Sequence, residues 1–173
     1  MLQVLKEFIE SLVAPAGDQS PQARERTLQL ATAVLLVEVM RVDGNTDAAQ
    51  RSAVMAALRE RFALPDEALA QLVEQARQTA ETANDYYRFT SSMNEQFTQA
   101  QKIQVVEAMW QVAYADTQLD ANEISLIGKI ADLLYVTQGE YIGAKMRAKE
   151  AALLSRRQDA VELADRKTPF SKM

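Results

Sequence analysis

Apolar positions recur at helical spacing along almost the whole chain, and capping residues divide the pattern into segments. At the start, "MLQVLKEFIESLVAP" places Leu5, Phe8, Ile9 and Leu12 three and four residues apart, which predicts an amphipathic helix interrupted by "APAGDQSP". Ser20 followed by Pro21 is a cap and first-turn pair, opening a long helix to about Val42. A third helix is predicted from Asp47 to about Ala63. A fourth runs from Pro65 to about Ala83, with Leu69, Leu72, Val73 and Ala76 on one side. The stretch "NDYYRFTSSMNEQF" is less regular and predicts one short helix. Thr98 with Gln101 forms a capping-box pair before a helix through Trp110 to about Ala115. Asp120 opens another helix, ending near Leu134, and Thr137 with Glu140 opens a last one running past Ala160.

The pattern therefore predicts an all-α compact domain of about seven or eight helices. Two of them, the run from Leu28 to Val42 and the helix through Trp110, are apolar nearly all round. Such helices need neighbours on every side, so they are expected at the centre. An internal correspondence links them: "VLLVEVMRVDGNTDAAQRSAVMAALRERF" from Val34 aligns with "EAMWQVAYADTQLDANEISLIGKIADLLY" from Glu107 at an offset of 73 residues, without a gap. Asp43 falls on Asp116, Asp47 on Asp120, Gln50 on Glu123 and Phe62 on Tyr135. This reads as an internal duplication. Packing of the halves about a pseudo-twofold axis would bring their acidic loops to comparable, adjacent positions.

Composition narrows the chemistry. With 173 residues and 48% hydrophobic content, the chain fits a single domain, 1–173, with a sizeable core. It has no Cys and no His. Thiolate nucleophiles, imidazole bases, dithiol redox chemistry and zinc sites built from these residues are thereby excluded, and a metal would need oxygen ligands. The longest apolar run spans about 15 residues and contains Gln29 and Glu38, short of the roughly 20 needed to cross a bilayer. No basic leader precedes the first apolar residues, and a cytoplasmic protein is expected.

Charge is unevenly distributed. Residues 141–173 carry 8 basic and 4 acidic side chains, leaving 11 basic and 20 acidic in residues 1–140. The acidic body should repel nucleic acid. The basic last helix, about 138–165, suits an acidic protein partner or a second copy. Its Leu153, Ala160 and Leu163 alternate with Lys149 and Arg156, too broken for a coiled coil.

The candidate site residues are Asp43, Asp116, Asp120 and Glu123 in the two acidic loops. Asp120 at an N-cap puts Glu123 at the third helical position, the reciprocal capping geometry, and Asp47 with Gln50 repeats the pairing. Asp43 and Asp116 instead follow the C-terminal ends of apolar helices, where the helix dipole disfavours a negative charge. A hard cation or hydrogen bonds from backbone amides could compensate, and the residues themselves leave both open. Neither loop has EF-hand spacing. Glu38, inside an apolar helix, is expected to have a hydrogen-bond partner rather than a catalytic role. Trp110, Met109 and Met40 are expected in the core, and one ring of the Tyr86–Tyr87 pair at the surface. There is no Gly-rich phosphate loop and no nucleophile with a base, so a non-enzymatic protein is expected.

An apolar helix ending in "RVDG" at Arg41 to Gly44, and a second ending in "AYAD" with Asp120 and Glu123 behind it, resemble the two acidic motifs of the TerB family of tellurite-resistance proteins. The resemblance covers about Thr27 to Arg147. It implies an all-helical bacterial cytoplasmic domain with an internal duplication, linked to tellurite and other stress resistance. A related domain stands at the front of a membrane-anchored DnaJ-type co-chaperone. It also implies a divalent cation, Ca²⁺, Mg²⁺ or Mn²⁺, at Asp43 and Gly44 in the first loop and at Asp116, Asp120 and Glu123 in the second. The sequence departs from the family pattern at Thr117, in place of a second Gly, and at Gln50, in place of Glu, so the first loop is expected to be the poorer cation site.

Overall fold

Seven helices and no strand make up the described part of the computed structural model, residues 20–42, 44, 48–82, 86–116 and 119–167. The helices are α1 (Pro21–Arg41), α2 (Ala48–Arg61), α3 (Asp66–Thr82), α4 (Tyr86–Gln96), α5 (Gln99–Ala115), α6 (Ala121–Leu133) and α7 (Gln138–Lys167). The predicted helix over Leu5 to Leu12 lies outside the described residues, as do Asp43 and Asp47. The predicted starts are otherwise met by the expected side chains. Ser20 Oγ accepts the Ala23 amide at 3.2 Å. Thr98 and Gln101 form the reciprocal box that opens α5, and Thr137 with Glu140 does the same before α7.

The two apolar helices are central. α1 packs against α2, α3, α4, α5 and α6, while α5 packs against α1, α2, α6 and α7. From Leu30 to Val37 every residue of α1 is buried, and Val105, Val106, Ala108, Met109, Trp110, Val112 and Ala113 bury α5 in the same way. Met40 also belongs to this core. Burial on all sides explains why these helices lack a polar stripe.

The segment "NDYYRFTSSMNEQF" is more regular than its sequence suggests. Its eleven-residue helix α4 buries Thr90 and Met93, and Phe97 follows just behind it. Thr90 Oγ1 returns its hydrogen bond to the Tyr86 carbonyl at 2.8 Å, so this β-branched polar residue adds no unsatisfied group. Tertiary burial of one face outweighs weak intrinsic propensity. Asn94 then caps the end of α6 by donating to the Leu133 carbonyl at 2.8 Å, and the buried Lys102 donates to Asn94 Oδ1 at 3.2 Å.

α6 closes in a left-handed turn at Tyr135, φ +55°. The Tyr135 amide reaches the Asp132 carbonyl at 3.1 Å and the Val136 amide reaches Ala131 at 3.0 Å, the paired bonds of a Schellman ending. Tyr135 therefore projects outward, whereas Phe62, its counterpart at an offset of 73, is buried. The core position at this end of α6 is taken by Leu134 instead. No helix is long and apolar enough to cross a membrane among the described residues.

Candidate functional site at the acidic helix starts

The first turns of α2 and α6 meet inside the protein. Gln50 Nε2 donates to Glu123 Oε1 at 2.6 Å, and both side chains are fully buried. These residues are 73 positions apart, the offset at which the two halves of the sequence align. Both helices also start at that offset, α2 at Ala48 and α6 at Ala121. The first turns of these two helices are thus in contact at their third helical positions.

Around Glu123 the capping geometry is complete. Glu123 Oε2 accepts the Asp120 amide at 3.2 Å, and the Asp120 side chain accepts the Glu123 amide in return. Asp120 Oδ1 also accepts the Asn122 amide at 2.6 Å. A buried carboxylate is costly unless its oxygens are paired, and this one gains a backbone amide, a side-chain amide and the positive end of α6. Gln50 Oε1 accepts no hydrogen bond from a described residue, and the Gln50 amide is turned to Glu123; Asp47, its partner in the expected cap pair, lies outside the described residues. A buried amide oxygen without a donor is an uncommon cost.

The C-terminal end of α5 has a compensating cation of the chain's own. Arg156 Nη2, from α7, donates to the Tyr114 carbonyl at 3.0 Å and to the Asp116 carbonyl at 3.3 Å. A guanidinium placed there satisfies carbonyls that the helix leaves open and opposes its negative end. The sequence reading missed this residue. Its signal is position: Arg156 continues the four-residue ladder Ala144, Ala148, Ala152, whose first two members are buried against the body of the protein. Asp116 itself is partly buried in an extended conformation, φ −80°, ψ 150°.

Other polar groups are structural. Glu38 Oε2 accepts the Tyr86 hydroxyl at 2.6 Å, and its Oε1 pairs with Arg41 at 3.1 Å. Burial, and then this carboxylate, push the Tyr86 hydroxyl well above the ordinary tyrosine range. Tyr87 lies outward. Gln111, the counterpart of Glu38, accepts from Arg61 Nη1 at 3.3 Å. Trp110 stacks on Tyr114 with ring centres 5.7 Å apart, and Lys145 stands 5.1 Å above its ring.

Among the described residues, no three acidic side chains gather into a group able to hold a metal ion. Of the four expected ligands, Asp120 and Glu123 share one helix start, Asp116 lies just before it, and Asp43 is outside the described residues. Gln50 Oε1, without a donor among the described residues, belongs to the side chain that meets the Glu123 carboxylate. The donor set is all oxygen, which suits a hard divalent cation.

The architecture is an all-α domain, with two central apolar helices and a polar contact between helix starts at its heart. The chain belongs to the TerB family, described as tellurite resistance protein TerB, whose model matches residues 29–148. No curated protein and no solved structure matches the chain significantly.

Proposed function

We propose that this chain is a non-enzymatic accessory protein of a bacterial tellurite or stress-resistance system, acting in the cytoplasm, whose acidic helix starts bind a hard divalent cation and so fix the geometry of the loops around them. The observation that carries the reading is the buried Gln50–Glu123 contact, with an oxygen of Gln50 that has no donor among the described residues. Asp120 and Asp116 would add carboxylates, and Asp43, the counterpart of Asp116 at the 73-residue offset, is the remaining expected ligand. A cation there would relieve the donorless oxygen and bind more tightly as its ligands lose their protons. The chain has no thiol, so its contribution to resistance lies elsewhere than in reducing or chelating tellurite through cysteine thiols.

Titration of the metal-free protein with Ca²⁺, Mg²⁺ and Mn²⁺, following backbone amide signals, tests this. Saturable shifts at Gln50, Asp116 and Asp120 that Asp116→Ala abolishes are expected; no saturable change at either loop refutes the site. Asp120→Ala should lower stability by about 1 kcal/mol with or without metal, because that residue is a cap in its own right.

A second reading, an interaction module docking through α7, is favoured by a separate observation. From Leu153 to Lys167 every residue of this helix is exposed. Deleting residues 149–173 and comparing partner capture tests it, and unchanged capture counts against it.

A further inference from the structure

α7 is a helix of 30 residues, yet only Ala144 and Ala148 are buried. At about 100° per residue, these two and Ala152 share the side that meets α5. Met146, Glu150, Leu153, Arg157 and Val161 share the opposite side, with Leu154 at its margin. The four large apolar residues of this face are exposed by 55% at Met146, 51% at Leu153, 53% at Leu154 and 63% at Val161. Glu150 and Arg157 are exposed too, and neither forms an ion pair or side-chain hydrogen bond among the described residues. Elsewhere on the helix, Arg147 pairs with Glu107, Glu162 with Arg166, and Arg156 binds the end of α5. Beyond Ala148 the helix lacks the packed apolar face from which most helical stability comes.

The order of residues on this face is self-complementary. We propose that α7 pairs antiparallel with α7 of a second copy, about a twofold axis passing between Leu153 and Leu154. In that register Leu153 meets Leu154 of the second copy, Glu150 meets Arg157, Met146 meets Val161, and each contact occurs twice, as an isologous interface requires. The seam spans about 22 Å from Met146 to Val161 at the helical rise. One acid and one base give the face no net charge. It is therefore not drawn to an acidic protein or an anionic lipid surface, since Lys149, Arg156 and Lys167 lie to one side of it. The inference rests on the second reading above and names its partner as another copy of this chain.

Sedimentation of the full chain over a concentration series tests the pairing, with circular dichroism checking that each variant keeps its helices. The wild-type chain should show a reversible monomer–dimer equilibrium. Glu150→Arg and Arg157→Glu should each weaken the dimer about tenfold, because two opposite-charge contacts become two like-charge ones. The double exchange Glu150→Arg with Arg157→Glu should restore it, since the charges again oppose. A monomer at every concentration, a dimer insensitive to the single changes, or a double variant as weak as the singles overturns the assignment. None of these outcomes bears on capture of a different protein, which the deletion experiment reads separately.

Discussion

Replacing Gln50 by Leu isolates the contact at the centre of the fold. Leu has nearly the volume of Gln, so little cavity forms, but the Glu123 carboxylate loses its side-chain donor in a fully buried site. Leaving a buried acceptor unpaired costs about 1–3 kcal/mol, more when it is charged, while removal of the donorless Gln50 oxygen offsets part of this. The expected net loss is about 2 kcal/mol, a fall in Tm of about 4–8 °C for a chain of this size. Glu123→Leu should also destabilise, because it strands the Gln50 amide and removes the acceptor of the Asp120 amide. In the double variant neither member of the Gln50–Glu123 pair is left stranded and only the Asp120 amide loses its acceptor, so the loss should be smaller than the sum by about 1–2 kcal/mol. Urea unfolding of the four proteins in chelator measures this. Additivity within about 0.5 kcal/mol would show that the two residues do not depend on each other and would refute the reasoning.

Two further effects follow from single side chains. The Tyr86 hydroxyl is held above its ordinary range by burial and by Glu38, so the neutral phenol is the form the fold favours. Its contribution is complete below about pH 10 and is lost as pH rises further; Tyr86→Phe should cost about 1.5 kcal/mol at neutral pH and flatten the alkaline loss of stability, read from unfolding at a series of pH values. Tyr135 occupies a left-handed turn with its side chain exposed, and Tyr135→Gly should raise stability by up to about 1 kcal/mol in thermal unfolding, while an unchanged or lower Tm counts against strain at this position.

Much of the fold was legible because helix starts are local events. Ser20, Thr98, Asp120 and Thr137 each satisfy amides within three residues of themselves, and the structure uses them as the sequence implies. α4 was harder to read, since its Thr and Ser residues disfavour helix until one face is buried. In the candidate site, Asp120 and Glu123 were visible as a cap pair through their spacing. That Glu123, besides closing its own cap, would be met by Gln50 depended on a contact 73 residues away.

The amino-acid sequence by itself determined the all-helical class, the capped helix starts, the two apolar central helices and the acidic residues at their ends, because each follows from periodicity and capping chemistry within a few residues. Only the tertiary structure decided that the two acidic helix starts touch through a buried amide–carboxylate contact, that Arg156 closes the end of α5, and that half of α7 stands uncovered. These depend on how the helices pack across the domain. Side-chain pairings between distant helices arise from that packing, and no local pattern encodes them.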